Sequence, residues 1–175
     1  MFNYNEVKGN LFDYEGSFAL AQWISADFDC RRGIAALMES RGKVSRWLNE
    51  HYRKGIWLGK GYCRPSNGNR VFNLVTTAKY DETPAIERIK EAVADMRKAA
   101  EKAGVRYIAM PKITGLDWQL VHNVIFDIFK DSDFNIRVVC DEEGGSLDIV
   151  DPDLEKANFG KDRRNIDGNT ARRYY

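Results

Sequence analysis

The chain has 175 residues, enough for one domain with a buried core. It is 43% hydrophobic and 12% aromatic, which excludes a disordered chain, and its formal net charge of +1 gives no reason to expect nucleic acid, a membrane surface or acidic partners. The three cysteines contain no CxxC pair, so neither a disulfide scaffold nor a zinc ribbon is indicated. The N-terminus does not resemble a signal peptide, and no apolar run approaches the roughly 18 residues of a membrane helix. We therefore expect a cytoplasmic protein with no metal, no cofactor and no membrane partner.

The predicted elements alternate between strands and helices. In chain order, hydrophobic spacing and turn residues predict a strand at 18–25, a helix from Gly33, a helix at 44–52, strands at 56–58 and 71–75, a helix at 84–103, a strand at 107–110, a helix at 118–129 and a strand at 136–140. Pro84 suits the first position of its helix, Gly104 suits a helix end, and PSNGN suits a hairpin turn. This order predicts an α/β layered domain over residues 1–150. The polar segment 151–175 is interpreted as a partly disordered appendage.

Two loops leave predicted strands and enter predicted helices, where open α/β sheets usually bind ligands. The first runs from Ser25 to Ile34, and the second, ITGLD, ends at Asp117. A helix N-terminus suits an anion, and glycine lets the backbone approach it closely. Taken alone, each loop fits an ordinary turn better than a ligand site, and Asp117 also fits a helix N-cap. No HExxH, GxSxG or recognisable Cys–His arrangement indicates metal or nucleophile chemistry.

Four stretches in order resemble the motifs of a macro domain. They are KGNLF at 8–12, ALAQWISADFDCRRGIAALM at 19–38, FNLVTTAKY at 72–80 and MPKITGLDW at 110–118. More narrowly, residues 7–140 resemble the branch that holds the terminal ADP-ribose protein glycohydrolases and the yeast-type ADP-ribose-1″-phosphate phosphatases. This resemblance implies a three-layer α/β/α fold with a mixed central sheet and a cleft for ADP-ribose or an ADP-ribosylated substrate.

The resemblance also implies roles for individual residues. The implied ligand-binding residues are Asn10, Leu11, Ser25, Asp27, Cys30, Arg31, Arg32, Gly33, Ile34, Ala35, Thr76, Thr77, Thr114, Gly115 and Leu116. The first two would face the adenine, and Ser25 and Asp27 would lie near the distal ribose. The glycine-containing loops that follow the two strands would wrap the diphosphate from opposite sides. Asp117 matches the catalytic aspartate of the family.

Several positions depart from the family pattern. Asn10 stands where the family usually has aspartate, and Arg31 stands where it usually has a second glycine. Thr77 occupies the position of the glycohydrolase lysine, which makes Lys79 a second catalytic candidate. Gln22 occupies the position of the phosphatase histidine. Threonine cannot form the covalent sugar adduct of a lysine, and glutamine cannot act as a general acid.

Three functions remain open at this point. The first is a hydrolase that cleaves an ADP-ribosyl linkage or ADP-ribose-1″-phosphate. The second is a module that binds ADP-ribose without chemistry. The third is a scaffold whose basic and tyrosine-containing tail binds RNA or a protein, although the acidic residues of that tail disfavour nucleic acid. We expect a monomer in each case.

Overall fold

The computed structural model describes residues 1–27, 33–42, 44–51, 58–66, 69–113 and 115–140. The strands are β1 (Asn3–Lys8), β2 (Ala19–Ser25), β3 (Lys60–Ser66), β4 (Asn69–Thr77), β5 (Tyr107–Pro111) and β6 (Asn135–Cys140). The helices are α1 (Gly33–Gly42), α2 (Val44–His51), α3 (Ile86–Ala103) and α4 (Trp118–Phe129), with a short 3-10 helix at Leu11–Tyr14. The predicted appendage at 151–175 lies outside the described residues.

The six strands form one mixed sheet in the order β1-β6-β5-β2-β4-β3. The pairs β1–β6, β6–β5, β5–β2 and β2–β4 are parallel, and β3 pairs antiparallel with β4. A short connection can join only antiparallel strands, which is why the predicted turn between β3 and β4 makes a hairpin. The parallel strands need longer crossovers, and these carry the helices.

Helices and sheet are held together by a buried cluster on each face of the sheet. Alternate residues of a strand point to opposite faces, so Ala19 and Ala21 of β2 join one cluster, and Leu20 and Ile24 join the other. The first cluster packs the sheet against α3 and α4. The second packs it against the 3-10 helix, α1 and α2. The predicted three-layer α/β/α fold with a mixed sheet is therefore confirmed.

Capping chemistry sets the helix ends. Gly104 ends α3 as predicted, because its left-handed backbone (φ +73°) lets its amide bond back to the last turn. The predicted start of α3 at Pro84 is wrong. Ala85 is still extended (ψ 143°) and caps the helix, which begins at Ile86. The structure confirms α4 at Trp118–Phe129.

Sequence analysis missed both edge strands. β1 was not predicted, and the strand predicted at 56–58 is misplaced, because Leu58 lies in a turn and β3 begins at Lys60. Residues 56 and 57 lie outside the described residues. An edge strand keeps much of its surface in water, so polar residues replace the apolar run that marks a central strand.

The helices in the described ranges lack the length and apolar character that are needed to cross a membrane.

Candidate functional site

The carboxyl ends of the five parallel strands meet at one edge of the sheet. The register pairs Lys8 with Cys140, Pro111 with Val139, and Ser25 with Thr77. The loops after β1, β2, β4 and β5 therefore leave from the same edge. These loops carry most of the site residues predicted from the sequence. This is the edge at which parallel α/β sheets usually bind ligands.

After β1, Asn10 caps the 3-10 helix. Its side-chain oxygen accepts a hydrogen bond from the Phe12 amide at 2.9 Å, and the residue is exposed. Leu11, by contrast, is only 2% exposed and belongs to the second core cluster. Of these two predicted adenine-binding residues, Asn10 is the one that presents a surface to a ligand.

After β2, Asp27 joins two loops. One of its carboxylate oxygens accepts a bond from the Ser25 hydroxyl, and the other accepts from the Tyr80 amide at 3.2 Å. The Ala26 amide donates to the Thr77 carbonyl at 2.9 Å, and the Asp27 amide to the Ala78 carbonyl at 3.1 Å. These bonds hold the loop after β4 against the loop after β2.

The residues at the end of β4 and just after it differ in their exposure to solvent. Thr76 and Thr77 are buried, with 3% and 9% of their surfaces exposed. Lys79 is exposed, and its backbone amide donates to Glu82 Oε1 at 2.7 Å. Its backbone is thus anchored at the rim of the sheet edge, while its ammonium group is on an exposed side chain.

The loop that leads into α1 lies only partly within the described residues. Cys30, Arg31 and Arg32 lie outside the described residues. Gly33 begins α1 in the left-handed region (φ +55°), a conformation that disfavours a residue with a side chain. Ile34 and Ala35 follow in the first turn and are half-buried. The start of α1 thus places backbone amides after β2, as an anion-binding loop requires.

The loop after β5 combines a glycine with a capping carboxylate. Gly115 is exposed, has φ +76° and has open space where a side chain would stand. Leu116 packs against the first core cluster. Asp117 is exposed, and its Oδ1 accepts from the Gln119 amide at 3.0 Å, so it is the N-cap of α4. Thr114 lies outside the described residues. The Asp117 carboxylate therefore lies at the carboxyl edge of the sheet and also caps a helix.

Gln22 is part of the core. Only 1% of its surface is exposed, and its Nε2 donates to Asn73 Oδ1 at 2.8 Å in the middle of the sheet. Asn73 is fully buried and donates in turn to the Tyr62 carbonyl at 3.2 Å. Gln22 therefore has almost no surface with which to contact a ligand. The polar Asn inside the apolar FNLV strand is the sequence signal for this buried pair, and sequence analysis did not use it.

Sequence analysis also missed the contacts that hold the ends of the β5–α4 loop. Trp23 Nε1 donates to the Pro111 carbonyl at 2.8 Å, and Trp118 Nε1 meets the Tyr4 hydroxyl at 3.3 Å. Neither partner could be found from spacing, since these contacts join residues far apart in the chain. Within the described part of the chain, no group of three or more His, Cys, Asp or Glu residues is arranged to hold a metal ion.

Solved structures show to which class this fold belongs. The macrodomain of Thermus aquaticus DarG matches with a TM-score of 0.68 at 19% identity, over 79% of this chain and 98% of that one. The macrodomain of Mycobacterium tuberculosis DarG matches with a TM-score of 0.67 at 16% identity, over 79% and 97%. At such identities the likeness concerns the fold alone, and that fold is the macro domain.

Two curated proteins share more sequence identity with this chain than these solved structures do. The ADP-ribose glycohydrolase OARD1 of Homo sapiens is 30% identical over 137 residues, which are 75% of this chain and 88% of the relative. OARD1 of Bos taurus is 29% identical over the same shares. No protein-family model matches the chain. On the strength of these relatives and of the fold, the chain belongs to the macro domain family.

Proposed function

We propose that this protein binds ADP-ribose or a closely related NAD-derived nucleotide and hydrolyses an ADP-ribosyl linkage or ADP-ribose-1″-phosphate. The observation that carries this proposal is the β5–α4 loop. It places Gly115 and Asp117 at the carboxyl edge of the sheet in a chain 30% identical to an ADP-ribose glycohydrolase.

Binding is supported by the shape and charge of the two helix starts. Gly33 and Gly115 both adopt positive φ, which lets the backbone turn its amides toward a ligand. The positive dipole ends of α1 and α4 favour the negative charge of a diphosphate. Asn10 at the start of the 3-10 helix is proposed to meet the adenine, and Ser25 and Asp27 the distal ribose.

Catalysis is proposed to depend on Asp117. A carboxylate at the anomeric carbon of the distal ribose stabilises the positive charge that develops there as the bond to the leaving oxygen breaks. The same carboxylate accepts a proton from the attacking water, whose oxygen forms the new bond to that carbon. The leaving group departs as a carboxylate from a protein acceptor, or as phosphate from ADP-ribose-1″-phosphate.

A titration with ADP-ribose tests the binding proposal. We expect heat of binding at a stoichiometry of one and a rise in melting temperature, since a ligand that binds only the native state stabilises it. The absence of both heat and a thermal shift would rule out the hydrolase and the binding module together. Mass spectrometry of the products from ADP-ribosylated protein and from ADP-ribose-1″-phosphate then separates the two.

The non-catalytic alternative is favoured by two observations. Thr77, at the position of the glycohydrolase lysine, is buried and cannot form a covalent adduct, and Gln22 is enclosed in the core. If ADP-ribose binds and neither substrate is turned over, the protein is a binding module. We further propose that it acts as a cytoplasmic monomer, in keeping with its few and widely spaced cysteines.

Replacing Lys79 by methionine should lower the turnover rate by about tenfold or less. An exposed ammonium group on the rim can stabilise, at long range, the negative charge that develops on the leaving carboxylate or phosphate, and water screens this effect. The measurement is the initial rate at saturating substrate, with Lys90→Met on the exposed face of α3 as the matched control. A loss of about 100-fold or more would instead assign the Lys79 amine a direct role in the reaction.

A further inference from the structure

The β5–α4 loop is held at both of its ends by side chains from other strands. At its start, the Trp23 indole of β2 donates to the Pro111 carbonyl at 2.8 Å. At its end, the Trp118 indole donates to the Tyr4 hydroxyl at 3.3 Å. Trp118 directly follows Asp117, so this second bond fixes the first turn of α4 beside the proposed catalytic carboxylate.

β1 supplies the contacts at the far end of the loop. The Tyr4 hydroxyl accepts from Trp118 and donates to Glu6 Oε2 at 2.9 Å. Glu6 Oε1 lies 3.8 Å from Lys112 Nζ, at the first residue of the loop. One short segment of the edge strand therefore contacts the residue that opens the loop and the residue that begins α4.

The ring of Tyr4 is itself packed on α4. Its centroid lies 4.9 Å from that of His122 and 5.1 Å from that of Phe126. Burial raises the pKa of the Tyr4 hydroxyl far above its ordinary value, so the group stays protonated at neutral pH. It therefore donates to Glu6 while a lone pair of its oxygen receives the indole N–H, a donor that needs a partner when buried.

We propose that Tyr4 is a positioning residue that acts through Trp118 to aim Asp117 at the substrate. Asp117 is exposed, so its direction depends on how firmly the first turn of α4 is held. Tyr4 holds that turn from β1, 114 residues away in sequence from Trp118. The catalytic part of this inference rests on the proposed hydrolase function, whereas its geometric part does not.

Tyr4→Phe is the sharpest test, because phenylalanine keeps the ring contacts with α4 and removes only the hydroxyl. We expect kcat to fall about tenfold with KM changed less than about twofold, since a small misplacement of a catalytic group slows the reaction more than it weakens binding. Tyr107→Phe removes a hydroxyl from a half-exposed tyrosine at the amino end of β5 and should leave both constants unchanged.

A double-substitution cycle shows whether Tyr4 acts through Asp117. In an Asp117→Asn background, Tyr4→Phe should cause no further loss of kcat, because the group that it positions is already inactive. If the kcat losses of Tyr4→Phe and Asp117→Asn multiply in the double variant, the proposal is overturned. Trp118→Phe, which removes the donor from the other side of the same bond, should reproduce the kcat loss of Tyr4→Phe.

Hydrogen exchange supplies a readout that does not depend on catalysis. The Gln119 amide is bonded to Asp117 Oδ1, so we expect it to exchange at least about threefold faster in Tyr4→Phe and at the parent rate in Tyr107→Phe. An unchanged Gln119 rate in Tyr4→Phe overturns the proposal. Failure of the proposed function gives a different result, namely no turnover by the parent protein while Gln119 exchange still responds to Tyr4→Phe.

Discussion

Asp117→Asn should lower the turnover of the ADP-ribosyl substrate by about 100-fold or more while leaving the melting temperature within about 2 °C of the parent. Asparagine is as good an N-cap as aspartate, so its side-chain oxygen can still accept from the Gln119 amide at the start of α4. It carries no charge and cannot take a proton from water, so the proposed chemistry is lost. The measurements are single-turnover rates and thermal unfolding of the same samples.

Two further variants complete this test. Asp117→Ala should show the same rate loss and, in addition, a loss of about 1 kcal/mol of stability, because alanine cannot cap the helix. Asp127→Asn removes an exposed carboxylate from the same helix and should keep the parent rate. Turnover by Asp117→Asn at the parent rate would leave Asp117 with its capping role alone.

Gly61→Ala should destabilise the fold by about 2 kcal/mol. A methyl group at this position of β3 would stand 2.9 Å from the Ala92 carbonyl and 2.9 Å from the Met96 amide nitrogen, both in the backbone of α3. The backbone atoms of a packed helix face cannot move aside as a flexible side chain can. The Gly61 amide also donates to Asp95 Oδ2 at 2.8 Å, so strand and helix are joined where the clash would arise.

Urea unfolding measures the effect. Lys60→Ala, at the exposed neighbouring position of β3, is the matched control and should change the free energy of unfolding by less than about 0.5 kcal/mol. If Gly61→Ala matches this control, α3 and β3 can separate without cost, and the glycine is not needed for their close approach.

The elements that were predicted correctly from the sequence are those set by a strong local physical rule. β2 and β5 are apolar because both of their faces are covered. Asp117 is the N-cap of α4 and Gly104 the C-cap of α3, and capping chemistry is local. Where the prediction of a strand fails, the strand has only one neighbour in the sheet. β1 and β3 lie at the edges of the sheet, and their half-polar sequences show no core periodicity.

The same division applies to the site. The spacing of glycines and of Asp117 predicts which loops lie at the carboxyl edge of the sheet, because strand-to-helix turns follow general rules. The bond from Tyr80 to Asp27 and that from Trp118 to Tyr4 join loops and strands brought together only by the folded sheet. The enclosure of Gln22 with Asn73 was not predicted, although the polar asparagine inside the apolar FNLV strand is a local signal for a buried polar pair.

The pairing of β1 with β6 has a consequence for how the chain folds during synthesis. The first strand can enter the sheet only beside the last one, from Asn3 opposite Asn135 to Lys8 opposite Cys140. Contacts between such distant residues form late, because closing the long intervening loop costs entropy before the pairing is gained. Tyr4 can therefore reach its place beside Trp118 only after nearly the whole domain has left the ribosome. On the proposal that Tyr4 positions Asp117, that positioning would be acquired in one of the last steps of folding.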